Sequence, residues 1–285
     1  MLPIALSPCP NDTFLFHAWI HALVSREILP QPTYGDIEQL NQWAFERKYP
    51  LIKISIACFD QLADDYQLLP IGAALGEQAG PKIIAKEPFK LEEMVTKRIA
   101  IPGKETTAHL LFNAFAPPAK EKIFCRYNEI GDLINQSKVD CGVIIHESRF
   151  TYEKHGFHQI ADLGTLWDHR FGLPLPLGGL AVRRDLPETT KMTILAALQE
   201  SLRYAKAHPE VSREFVSSLA QEKDPGTIAK HIALYVNRET EQLSSTGILA
   251  IKTLLQCAGK FANVQKVKPW VYTYETSDFC NIKRS

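Results

Sequence analysis

The sequence predicts an α/β protein of two lobes with a ligand cleft between them. Three observations predict it. Short apolar, β-branched runs alternate with segments of helical spacing from the first residues onward. The alternation restarts near residue 98, and a long, mostly helical stretch closes the chain after Pro187. Alternating βαβ units imply parallel sheet, with ligands taken at the C-terminal ends of the strands.

Taken in order, residues 2–7 read as a buried strand, and Asn11, Asp12 and Thr13 offer cap side chains to an apolar helix over 14–25. Ile37, Leu40, Trp43, Ala44 and Phe45 give residues 37–48 helical spacing. Residues 52–56 are β-branched and strand-like, and 59–65 form a short helix. Residues 68–75 and 82–85 read as strands, separated by Gly76, Gly80 and Pro81. The second set places strands at 98–101, 123–127 and 141–145, with helices at 106–115 and 129–136. Residues 164–179, rich in Gly, Pro and Leu, read as an ordered connection, and 180–183 as a returning strand. Helices follow at 189–207, 211–221, 227–236 and 247–258, while the tail after Lys260 has weak periodicity. The predicted division puts 1–89 and 179–285 in a larger lobe and 90–178 in a smaller one.

Composition narrows the function. At 285 residues the chain spans about one and a half to two domain lengths and needs no disulfide staple to hold a core. Hydrophobic residues make up 45% and charged residues 22%, which excludes collagen-like, coiled-coil and largely disordered chains. Lys and Arg total 32 against 32 Asp and Glu, so the basic excess that a nucleic-acid binder uses to displace counterions is missing. No run of 18 apolar residues exists to span a bilayer. The first ten residues carry three prolines and no basic, apolar leader pattern, which predicts a cytoplasmic protein with neither nucleic-acid nor membrane partners. Cys9, Cys58, Cys125, Cys141, Cys257 and Cys280 form no CxxC pair and no Cys–His cluster at metal spacing, so no metal is expected.

Four segments are candidates for chemistry. Ser7 to Phe14 is a strand-to-helix turn stiffened by Pro8 and Pro10, either a capped turn or a ligand-facing one. Pro102 to Ala108 runs from a strand through a Gly turn into a helix, whose first N–H groups can hold a carboxylate or phosphate. The alternative there is plain capping by Thr106 or Thr107. Cys141 to Arg149 is an apolar strand that ends in His146, Glu147, Ser148 and Arg149. An imidazole at a strand's C-terminal end is a candidate general base, and Arg149 a candidate partner for an anion. Lys53 and Ser55 end a short strand, a weak signal alone. His17 and His21 are spaced i, i+4 on a helix without an evident third ligand, and His155, His158 and His169 read as loop residues. No GxSxG, HExxH or GxGxxG run is present.

Together these segments resemble the 1,4-dihydroxy-6-naphthoate synthase family of the futalosine route to menaquinone. The resemblance rests on Ser7-Pro-Cys-Pro-Asn-Asp-Thr-Phe14, Lys53-Ile-Ser55, Thr106-Thr-Ala108, Gly142-Val-Ile-Ile-His-Glu-Ser-Arg-Phe-Thr-Tyr152 and Gly172-Leu-Pro-Leu-Pro-Leu-Gly178, in the family's order. It implies a two-lobed fold like type II periplasmic binding proteins and a small carboxylate substrate. The implied reaction turns cyclic dehypoxanthine futalosine into 1,4-dihydroxy-6-naphthoate, with loss of a sugar-derived fragment and no cofactor. It also implies that His146 is the catalytic base and that Lys53, Ile54, Ser55, Thr107, Ala108 and Asn11 line the substrate site. Asp168-His169-Arg170-Phe171 departs from the family pattern, which expects acidic residues and a threonine there. Two other readings remain open: a non-catalytic carboxylate-binding protein, and a sibling resembling chorismate dehydratase, a family without the His-Glu-Ser-Arg run.

Overall fold

A computed structural model describes residues 1–77, 79–267 and 269–273. The chain opens with β1 (Leu2–Leu6), buried except at Pro3, and turns into α1 (Pro10–Ile20). Pro10 opens that helix, where its missing N–H costs nothing, so it starts ahead of the expected 14–25 and holds Asn11, Asp12 and Thr13 inside its first turn instead of using them as caps. Next come β2 (Pro30–Tyr34), α2 (Ile37–Phe45), β3 (Leu51–Ser55), α3 (Phe59–Leu62), β4 (Tyr66–Leu68) and β5 (Ala74–Gly76). The second set holds β6 (Lys82–Ala85), β7 (Arg98–Ile101), α4 (Thr107–Phe115), β8 (Glu121–Phe124), α5 (Ile130–Asn135), β9 (Cys141–Ile144) and β10 (His158–Asp162). The return runs through α6 (Leu163–Phe171) and β11 (Leu175–Arg183). Helices α7 (Glu188–Ala207), α8 (Arg213–Leu219), α9 (Pro225–Tyr235), α10 (Arg238–Glu241), α11 (Ser245–Cys257) and α12 (Phe261–Lys266) follow.

Two sheets result. One has the order β2-β1-β3-β11-β4, with β5 also on β11; the other has the order β10-β6-β9-β7-β8. Strands β1, β2 and β3 run parallel, as do β7, β8 and β9. The parallel pairing expected of the βαβ units does not extend through either sheet, because β11 is antiparallel to β3 and β4, and β6 is antiparallel to β9 and β10. The lobe boundaries shift as well. Strand β6 belongs to the second sheet although it precedes residue 90, and β11 joins the first sheet from Leu175, ahead of residue 179.

The apolar faces account for the layers. Ile4 and Leu6 of β1 pack with Phe16 and Trp19 of α1 and with Leu195 and Leu198 of α7. A larger cluster runs from Ile52 and Ile54 of β3 to Ile99 of β7, Leu111 of α4 and Trp167 of α6. Ile130 and Ile134 of α5 cover the outer face of the second sheet with Phe157.

Several segments differ from the sequence reading, each for a local reason. The single strand expected over 68–75 is replaced by the end of β4 and the start of β5, because Pro70 and Gly72 (φ +77°) break the run. The connection expected over 164–179 holds α6, which Asp162 caps by accepting from Gly164 N–H and Thr165 N–H and which Gly172 ends in the left-handed region. Strands β2 and β10 are sheet-edge strands, one carrying two prolines and the other His158, so neither shows apolar alternation. His169 lies in α6 and not in a loop.

The chain passes between the sheets twice, after Gly76 and after Asp162. The two passages touch: a Cβ on Gly80 would collide with the backbone of Gly164, and Leu163 N–H donates to Pro81 O at 2.9 Å. Only glycine lets two backbones cross so closely. No described helix is long and apolar enough to cross a membrane.

Candidate active site

The parallel strands β1, β3, β7 and β9 all deliver their C-terminal ends to one cleft. The turn after β1 contributes Ser7, Cys9, Asn11 and Asp12, and the end of β3 contributes Lys53 and Ser55. The start of α4 supplies Thr106, Thr107 and Ala108, and the residue pair after β9 supplies Ile145 and His146. Leu177 and Gly178 of β11, and His231 and Tyr235 of α9, also line it, with Ala79, Gly80 and Pro81 of the first crossing.

Ile54 is not part of it. Side chains alternate along a strand, so Lys53 and Ser55 face the cleft while Ile54, fully buried, joins the core on the other face. Arg149 also stands outside the lining. Its guanidinium donates to Tyr235 Oη at 3.4 Å and lies 3.9 Å from Asp162, so it supports the wall from behind. The departure at 168–171 falls in the last turn of α6 and contributes nothing to the lining, so the cleft is independent of it.

Charge in the cleft is fixed by a buried pair. Lys53 Nζ donates to Asp12 Oδ1 at 2.8 Å and to Gly72 O at 3.0 Å, with both side chains almost fully buried. Burial raises the Asp12 carboxyl's pKa, and the Lys53 ammonium pulls it back. Asn41 locks Ser55 by donating to its Oγ at 3.1 Å and accepting its N–H at 2.9 Å. The Thr107 hydroxyl is likewise committed, donating to Leu177 O at 2.8 Å and accepting Ala57 N–H at 3.3 Å. Thr106 is the N-cap of α4 and accepts His109 N–H. What α4 offers a ligand is therefore the backbone N–H groups of its first turn, near Thr107 and Ala108, backed by the positive end of the helix dipole.

His146 has φ +57°, a left-handed conformation uncommon for a non-glycine residue. The turn throws its ring back onto the cleft, edge-on to Tyr127 at 4.8 Å between centroids. Its Nδ1 lies 3.2 Å from Cys9 Sγ, which leaves Nε2 to face a ligand. Burial, with the Lys53 ammonium adding to it, pushes the imidazole pKa down to about 4. The ring is thus neutral near pH 7 and carries a lone pair. Glu147, beside it, is buried, and burial pushes its carboxyl up to about 7.

His231 escaped the sequence reading. It sits mid-helix among apolar neighbours and carries no local signal. Asn11 Nδ2 donates to Asp12 Oδ1 at 2.9 Å, so Asn11 Oδ1 is left to accept from His231 Nε2 at 3.0 Å. Burial and the nearby His146, Arg149 and Lys53 hold His231 well below its ordinary pKa. His17 and His21, by contrast, pack against each other and Phe215 away from the cleft.

Two α/β lobes joined by paired crossings, with a polar cleft at the strand ends, define the class of periplasmic-binding-protein-like folds. The periplasmic aliphatic sulphonate binding protein from Escherichia coli shares this fold, with a TM-score of 0.65 at 13% identity over 96% of this chain and 94% of that one. A crystal structure of a protein from Archaeoglobus fulgidus is more similar, with a TM-score of 0.86 at 31% identity over 92% and 97% of the two chains. The chain belongs to the menaquinone biosynthesis family, which it matches over residues 2–260. It is 40% identical to a 1,4-dihydroxy-6-naphthoate synthase of Thermus thermophilus over 89% of this chain and 92% of that one. With the enzyme of the same name from Streptomyces coelicolor it shares 38% identity over 94% and 96%.

Proposed function

We propose that this chain is a 1,4-dihydroxy-6-naphthoate synthase that converts cyclic dehypoxanthine futalosine to 1,4-dihydroxy-6-naphthoate with His146 as the base. The observation that carries the reading is a neutral imidazole on the same cleft as a helix N-terminus able to hold a carboxylate. Nε2 of His146 takes a carbon-bound proton next to a carbonyl. The C–H electron pair forms a carbon–carbon double bond and expels the sugar-derived fragment. Aromatisation of the naphthalene ring drives the step, so the protein supplies position and a base, the latter contributing roughly 10²–10⁴-fold. The first-turn N–H groups of α4 orient the substrate carboxylate, and Asn11, Lys53 and Ser55 line its path. Closure of the lobes about the two crossings excludes water during the reaction. Five free thiols support a reducing compartment, the cytoplasm, as its location; Cys280 lies outside the described residues. Incubation of the protein with cyclic dehypoxanthine futalosine, followed by chromatography, tests the reading. Conversion supports it, whereas binding without conversion would leave a carboxylate-binding protein.

The anion site carries its own expectation. Ala108→Pro removes one N–H from the first turn of α4, a place where proline fits a helix. Loss of a hydrogen bond to a charged group costs about 1.5–3 kcal/mol, so product affinity should fall roughly ten- to a hundredfold. Unchanged affinity by calorimetry, in a variant with wild-type melting, would move the carboxylate elsewhere.

The pH dependence follows from burial. An ordinary imidazole near 6.5 would place the acidic limb of activity close to neutrality. In this cleft protonation waits until about pH 4, so kcat/KM should change little from about pH 6 to 8 and fall only on approach to 4. A limb centred near 6.5 would count against a desolvated base.

A further inference from the structure

We propose that Cys9, His146 and Glu147 form a three-ligand site for Zn²⁺, and that occupancy by the ion and action of His146 as a base exclude one another. One ligand atom from each lies within 4.8 Å of the others. Zinc bonds of about 2.0–2.3 Å in a tetrahedron set donors roughly 3.3–3.7 Å apart. The Cys9–His146 separation of 3.2 Å is already close to that, and from within 4.8 Å the carboxylate needs to close in by at most about an ångström and a half.

A second observation points to a cation. Glu147 is 2% exposed, yet its Oε1 has no hydrogen-bond partner. A buried carboxylate oxygen without a donor is costly unless an ion or proton meets it. Glu147 lines a second cavity with Tyr127 and Thr151, while Cys9 and His146 line the cleft, so the three donors draw on the walls of two cavities. A thiolate, an imidazole and a carboxylate are donors that zinc takes readily, and the cleft leaves a fourth position open to solvent or a ligand.

The chemistry is an exchange. The ion enters as the Cys9 thiol and the Glu147 carboxyl give their protons to solvent, and a ring nitrogen of His146 donates its lone pair. A neutral imidazole has one such pair. With a metal on Nδ1, Nε2 carries the proton and cannot accept another. The binding half of the proposal stands independently of the proposed reaction; the inhibitory half rests on it.

Co²⁺ titration of chelator-treated protein is the test, because tetrahedral Co²⁺ bound to a thiolate absorbs intensely and is readable without turnover. We expect a thiolate charge-transfer band that saturates at one equivalent and is displaced by Zn²⁺. Cys9→Ser should lose the band. An outer-sphere partner alone is worth roughly 10–100-fold in metal affinity, so Glu147→Gln should weaken Co²⁺ binding by at least about tenfold. His146→Asn, whose side chain suits the left-handed backbone there, should do likewise and serves if either other variant fails to fold. Absence of the band in excess Co²⁺, or its survival in Cys9→Ser, overturns the site. Zn²⁺ should inhibit turnover in parallel with binding, reversibly by chelator; full occupancy without inhibition overturns the exclusion. A metal-free protein that binds Co²⁺ as expected but never converts the substrate counts against the proposed function and leaves the site standing.

Discussion

His146→Asn is expected to lower kcat by roughly 10²–10⁴-fold while leaving the fold and product affinity close to wild type. The substitution suits the position. Asparagine tolerates the left-handed backbone better than most residues, so φ +57° adds no strain that the native histidine does not already bear. It keeps a polar group of similar reach but has no basic nitrogen. If the ring only positions the substrate, KM rises and kcat stays nearly constant. If it only packs, the melting temperature drops and specific activity survives. Melting temperature, product affinity and kcat on this one variant separate the three, and a near-wild-type kcat would remove His146 from the mechanism.

Lys53→Met should be the most destabilising substitution in the cleft. It strips Asp12 of its 2.8 Å partner while leaving the carboxyl buried, and it removes the donor to Gly72 O. Breaking a buried pair from one side costs about 3–5 kcal/mol, which lowers the melting temperature by on the order of 10 °C. The sign with pH follows from Asp12. Its pKa is already raised by burial, and without the ammonium that restrains it the value climbs further. A folded-state pKa above the unfolded one gives stability that is present at low pH and lost as pH rises through the folded value. The variant should therefore sit closest to wild type near the unfolded carboxyl's pKa of about 3.9 and furthest from it at neutrality. Adding Asp12→Asn should recover part of the loss, because it replaces the stranded carboxyl with an amide; a double-mutant cycle with no coupling would mean the pair contributes nothing as a pair. Lys53→Met also removes a positive charge that holds the His146 pKa down, so the acidic limb of activity should move upward in pH.

Much of this protein is encoded locally. The cap at Thr106, the Gly turn before α4 and the apolar strand just before His146 depend on neighbours within a few residues. Such features are set by backbone geometry and short-range hydrogen bonding, which is why they could be read without a structure. The same holds for most of the two βα sets, whose inner strands and helices announce themselves by their own spacing of apolar residues. Edge strands β2 and β10 announced nothing, because an edge needs no apolar alternation.

Only tertiary structure decided what the site is made of. Cys9 meets His146 across 137 residues, and Asn11 meets His231 across 220. Strand pleat, not motif membership, put Lys53 and Ser55 on the cleft and Ile54 in the core. Arg149 belongs to the motif yet stands behind the wall with Tyr235. The pKa values of His146 and Glu147 are likewise absent from the sequence, because desolvation is a property of the packed surroundings and not of the residue. The sequence determined which groups the chain could bring to a cleft; packing determined which of them face it, what each one touches, and in what protonation state it waits there.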